Sequence, residues 1–163
     1  LADRAVDHTK VATGFLVQRV YSEYLANADI TTQIPFDDTI PQTTEGVEIL
    51  TASITPKSAT NKLLIRFQGV YCTTASAANA GCALFVDATA NALAAASGVV
   101  GVSYDIGHMA LEYEEAAGST ATRTYRVRVG PGTGTTLRMN GEDNARRYGG
   151  KQRATLIIEE VEA

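Results

Sequence analysis

Arg146, Arg147 and Tyr148 sit side by side in the stretch GEDNARRYGG and form the one compact cationic and aromatic cluster of the sequence. A guanidinium clamps a carboxylate through two parallel hydrogen bonds, and a phenol ring stacks on the apolar face of a sugar, so a loop carrying both is a candidate receptor contact. The same residue types are enriched where subunits meet, and a contact between subunits explains the cluster equally well.

Carboxylates are the next candidates. Glu112 and Glu114 share a face at strand spacing, and Glu159, Glu160 and Glu162 gather near the end, so an acid pair of the glycosidase kind has to be weighed. Neighbouring arginines account for them more simply as ion-pair partners, and such acid pairs generally need a larger scaffold with a deep groove. His8 and His108 have no nucleophile or carboxylate arranged around them in sequence, and read as surface or cap residues. Asp37, Asp38 and Glu45 offer oxygens to calcium but lack the EF-hand spacing, and aspartate is an ordinary turn former. GPGTGTT lacks both the lysine and the following helix of a phosphate cradle, so it reads as a turn. Cys72 and Cys82 have no His or Cys cluster near them and read as small buried thiols. No catalytic residue, cofactor or metal is expected.

The elements that would hold these residues are extended. Two prolines, in Ile34-Pro35 and Ile40-Pro41, keep the backbone straight on either side of a Phe36-Asp37-Asp38-Thr39 corner and withhold two amide donors, which suits an edge or a loop. Val47 to Ile54 reads as a strand stopped by Thr55-Pro56. Phe15 to Tyr24 reads as a strand of ambiguous facing, and Ile30 to Ile34 as a short one. KLLIRFQGVY alternates cleanly, with Leu63, Ile65, Phe67, Gly69 and Tyr71 inward. In CALFVD the inward set is Cys82, Leu84 and Val86, which puts Cys72 on the opposite face from Cys82. LAAASGVVGV is a weak strand of small residues suited to lie against a neighbouring subunit. HMALEYEE and RTYRVRV are expected to pair as a hairpin, Met109 opposite Val129, Leu111 opposite Val127, Tyr113 opposite Tyr125 and Glu112 opposite Arg126. RATLIIEEV is apolar on both faces, as in a doubly buried strand or a subunit interface. About ten short strands at regular spacing predict an all-β sandwich or barrel.

The 163 residues suit one domain. A net charge of −4 provides no basic field for nucleic acid or anionic lipid. No apolar run approaches the roughly 18 residues of a membrane span, so membrane insertion is not expected. The chain begins at Leu1 without an initiator Met and reads as a fragment or a processed product.

The succession IPFDDTIPQTTEG, ITPKSATNKLLI, ALFVDATANALAA, TYRVRVGPGTGTTLRMNG and RRYGG resembles the C-terminal head domain of tailed-bacteriophage tail-fibre and virion-decorating head-fibre proteins. The likeness covers about residues 15–163, and LADRAVDHTKVATG is similar to the connectors that precede such heads. Residues 1–13 are accordingly expected to be a connector and 14–163 the head. The resemblance implies a jelly-roll sandwich of about 8–10 strands. It also implies a homotrimer mounted on the virion, partnered by tail or capsid proteins and by a host-surface glycan or protein. Assembly in the host cytoplasm follows. The chief alternative is a capsid decoration or cement protein, and a small glycan-degrading domain is a remote one. Asp37, Asp38, Thr39, Pro41, Glu45 and Gly46 match an architectural signature and no catalytic residue carries over. The two cysteines and the segment Tyr104 to His108 depart from the pattern.

Overall fold

The computed structural model describes residues 14–163; the expected connector and His8 lie outside them. Twelve strands follow in order: β1 Leu16–Tyr24, β2 Ala28–Ile30, β3 Val47–Ile54, β4 Lys62–Thr73, β5 Ala78–Val86, β6 Ala94–Val100, β7 Gly107–Ala116, β8 Arg123–Pro131, β9 Leu137–Met139, β10 Gly141–Glu142, β11 Ala145–Arg146 and β12 Ala154–Val161. The one helical element among the described residues is a 3-10 turn at Tyr148–Gly150.

The clean alternation of β4 makes it the centre of the first sheet. Leu63, Ile65, Phe67 and Tyr71 are buried, while Lys62, Arg66 and Gln68 face out. β7 pairs along one edge of β4; β12 and then β9 share the other edge, at Lys62–Gln68 and Tyr71–Thr73. β1 pairs with β12 and β2 with β9, so the first sheet reads β1/β2, β12/β9, β4, β7. The second sheet reads β3, β8, β5, β6, and every pairing is antiparallel. From β2 to β9, with the β5–β6 hairpin as the exception, successive strands thus hop between the two sheets in the order of a jelly roll.

Both inner faces meet in one apolar core that includes Ile54, Phe67, Tyr71, Leu84, Tyr125 and Leu156. A fully buried Leu, Ile or Phe side chain is worth about 1.5–3 kcal/mol, so this core, more than surface ion pairs, holds the sheets together. A bulge in β3 between Glu48 and Leu50 turns both Ile49 and Leu50 inward.

Residues 31–46 do not continue a sheet. They cross the outer face of the second sheet, where Ile34 joins Phe85 and Ala83 in a small second core. Ile34 donates its amide to the Pro131 carbonyl at 3.0 Å, and Gly46 donates to Gln33 at 2.8 Å. The crossing is close because Gly130 lies beneath it: a Cβ there would sit 2.5 Å from the Thr32 carbonyl oxygen.

Several sequence expectations are corrected. The strand expected at 30–34 ends at Ile30, because the amide of Ile34 is used against Pro131 instead of a ladder. β7 and β8 do not pair: β7 lies in the first sheet against β4, and β8 in the second between β3 and β5. Met109, Leu111, Tyr125, Val127 and Val129 do all point into the core, but from opposite sheets, so Glu112 lies opposite Arg66 and Arg126 approaches Glu48 at 3.8 Å. Alternation reports a shared core and not lateral pairing. β12 is not buried on both sides: Leu156 and Ile158 are fully buried, while Ile157 lies half-buried on the outer face.

Candidate functional site

The cationic and aromatic cluster lies on the loop that follows β9. β10 and β11 form a two-rung hairpin, Gly141 opposite Arg146 and Glu142 opposite Ala145. Its turn residues Asp143 and Asn144 have φ of 42° and 60°, left-handed values that this residue pair tolerates. Asn140 fixes the base of the loop, donating through Nδ2 to the carbonyls of Tyr24 at 2.8 Å and Ala26 at 3.2 Å. Arg147 donates through Nε to Glu142 Oε2 at 2.9 Å, an internal tie. Arg146 has no carboxylate partner among the described residues, and Tyr148 is 82% exposed. The structure therefore brings all three residues to one loop and leaves Arg146 and Tyr148 available.

The loop also accounts for Cys72. It lies on the face opposite Cys82, as alternation requires, but it is fully buried beside Arg138, and the Asp143 amide bonds to its sulfur. Burial raises the pKa of the Cys72 thiol and pushes that of Cys82 up to about 12, so both are inert thiols. Arg138, also buried, donates from Nε and Nη2 to the two oxygens of Asp29 at 2.5 and 2.8 Å. That bidentate contact holds the Asp29 carboxyl below its usual range.

Several of the remaining sequence candidates have structural partners. Glu159 pairs with Arg66 and approaches Arg19 at 3.8 Å, and Glu114 pairs with Lys62 at 2.7 Å. Glu160 points inward and is fully buried. His108 lies exposed on β7 opposite Val70. Asp37 Oδ1 accepts the hydroxyl and the amide of Thr39, which together hold its carboxyl below the usual range, and Glu45 accepts the Gln42 amide at 2.9 Å. No group of three His, Cys, Asp or Glu placed to hold a metal occurs among the described residues.

A second concavity carries no sequence motif. Residues 34–41 overhang β5 and β6 and leave a groove of about 190 Å³ whose outward-facing lining includes Phe36, Asp37, Thr39, Gly81, Ala95 and Ser97; Ala80 and Ala96 border it while their side chains turn into the core. Phe36 is 62% exposed. Its one usable signal in the sequence is a large aromatic set among the prolines and aspartates of PFDDTIP, where a turn alone needs none.

No family model and no curated protein matches the chain. Among solved structures it is similar to the Eiger TNF of S. frugiperda, at 9% identity and a TM-score of 0.47, covering 89% of this chain and 94% of that one. It is also similar to the sugar-binding C-terminal domain of EclA, at 13% identity and a TM-score of 0.38, covering 87% and 84%. A third is the enzymatically active domain of bacteriophage CBA120 tailspike protein 4, at 14% identity and a TM-score of 0.29, where 76% of this chain covers 18% of that one. These are distant likenesses of chain trace and place the protein in no family.

Proposed function

We propose that this chain is the head domain of a tailed-phage fibre or spike: a structural, non-catalytic protein that assembles as a homotrimer on the virion and engages a host-surface glycan or protein. What supports assembly is the unequal treatment of its two outer faces. The second sheet's outer face is covered by the chain's own residues 31–46, which seal Phe85 and Ala83. No comparable crossing among the described residues covers the outer face of β1, β12, β4 and β7 around Ile157. There Tyr21, Leu64, Val70, Ala110 and Ile157 share the face with the ion pairs of Arg66 and Lys62. A mixed apolar and paired-charge face of this kind suits a subunit contact. Three copies would present three sets of loops, and avidity would make weak single contacts hold a cell. Sedimentation velocity at micromolar concentration is expected to give a trimer, and a monomer would overturn the assembly. Immunogold labelling of the intact particle separates a fibre tip from a capsid decoration.

A further inference from the structure

We propose that the groove between residues 34–41 and strands β5 and β6 is a binding subsite for one neutral pyranose ring, with Phe36 as its stacking platform. The inference rests on the host-glycan part of the proposed function and moves the contact away from the Arg146 to Tyr148 loop. That loop packs against the outer face of the first sheet; the groove lies on the outer face of the second.

Size sets the first limit. At about 190 Å³ the groove falls below the roughly 300–1,000 Å³ of pockets for drug-sized ligands and suits a single ring, and further units of a glycan would lie in the adjoining concavity of about 390 Å³ that shares Asp37, Thr39, Pro41 and Ala95. Of its small residues only Ala95 presents a side chain outward, and Ile34 packs over Gly81, where a Cβ would lie 3.5 Å from it, so a flat ligand would rest beside Ile34 and on Ala95. Chemistry sets the second. Phe36 offers a bare aromatic face without a hydroxyl, matched to the C–H face of a pyranose. Around it stand hydroxyls of Thr39 and Ser97 and the carboxylate of Asp37. Both bonds from Thr39 end on Asp37 Oδ1, and Oδ2 accepts none among the described residues, so it is free to accept from a sugar hydroxyl. β6 is the edge of its sheet and adds unpaired backbone groups. Charge sets the third. The lining contains Asp37 and no Lys, Arg or His, and Asp38 is adjacent, so an acidic sugar is repelled.

The groove is also prebuilt. Ala92 donates to the Pro41 carbonyl at 2.9 Å and Thr43 to Ala90 at 2.9 Å, while Arg128 donates to the carbonyls of Glu45 and Gly46 at 2.6 and 2.8 Å. The walls therefore require little ordering when a ligand enters.

The test is an amide-shift NMR titration of the full chain with the methyl glycosides of glucose, galactose, mannose and N-acetylglucosamine. At least one is expected to bind at millimolar strength and shift Gly81, Ser97 and Gly132. Phe36→Ala is expected to weaken it roughly tenfold or more, Phe36→Tyr to retain it, and Arg146→Ala with Tyr148→Ala to leave it unchanged. Phe36 is largely exposed, so an unchanged melting temperature verifies folding of the variant. Binding that survives Phe36→Ala and maps to Arg146 and Tyr148 refutes the groove while host-glycan binding stands. A silent panel at both places refutes the groove and the glycan reading together, and an extended peptide that occupies β6 with the panel silent replaces the sugar.

Discussion

Glu160 shows how a single side chain can organise a corner of this sandwich. Its carboxylate is fully buried and faces no cation among the described residues; instead Oε1 accepts the amides of Lys57 at 2.8 Å and Ser58 at 3.2 Å and the Asn61 side chain at 2.7 Å. Oε2 accepts Gln18 Nε2 at 2.5 Å. Burial works to raise its pKa, but the donors from Gln18, Asn61, Lys57 and Ser58 outweigh it and leave the carboxyl below its ordinary 4.5. Glu160→Ala would strand two backbone and two side-chain donors and is expected to cost about 3 kcal/mol in denaturant unfolding, with Glu160→Gln costing less because one acceptor remains. The folded pKa is depressed, so this stabilisation is fully present above the unfolded value near 4.5 and is lost as pH falls through the lower folded value. Acid melts of the wild type should therefore fall more steeply below about pH 4.5 than those of Glu160→Gln; parallel curves would remove Glu160 from acid stability. In sequence Glu160 is indistinguishable from the surface Glu159 by type. Only its phase with Leu156 and Ile158 marks it as inward, and that phase reads as an error until a donor cluster is known to exist.

In the edge strands β6 and β7, one from each sheet, what is small is fitted to a neighbour. The ring of Tyr71 is buried between β6 and β7. A Cβ on Gly98 would lie 2.5 Å from Tyr71 Oη, and a Cβ on Gly107 would lie 2.6 Å from Tyr71 Cζ. Either substitution to Ala overpacks the core at about 1–3 kcal/mol. The two should separate on a Tyr71→Phe background. Removing the hydroxyl relieves Gly98→Ala, whose next contact is 3.6 Å away, but not Gly107→Ala, which meets the ring carbons. Equal rescue of both by thermal melts would contradict this packing. The strand LAAASGVV, whose small residues suit a neighbouring subunit on sequence alone, is thus small at Gly98 because Tyr71 fills the space. The strands most sharply bounded in the sequence are those with strict alternation or hard stops, β4 and β3; β1, β5, β7, β8 and β12 are also legible as strands, though not which strands they pair with. The expected β7 and β8 partnership fails because two strands satisfy the same pattern by lying side by side or by facing each other across a core. Two prolines mark residues 31–46 as an extended passage, but its place over the second sheet depends on Gly130 and Phe85. Those residues stand in other strands, far along the chain, where no local rule connects them to the crossing.

At the scale of the molecule, assembly turns on whether the outer face around Ile157 is a free surface. Ile157 lies in register between Tyr21 of β1 and Arg66 of β4, with Thr155 and Glu159 as its neighbours along β12 on that face. On a lone subunit a half-exposed isoleucine tolerates an acidic replacement, with a stability change within about 1 kcal/mol. In a trimer the same change buries an unpaired charge at the contact of every copy, and dissociation follows. Melting temperature reads the difference whatever the symmetry of the assembly. If the subunits stabilise one another, the wild-type midpoint rises with protein concentration, by mass action, while Ile157→Asp melts lower and at a midpoint independent of concentration. A wild-type midpoint that stays constant from low micromolar to high micromolar protein would mean that the face meets only water. The protein would then have to act through the Phe36 groove or the Arg146 loop one copy at a time, with no gain from avidity.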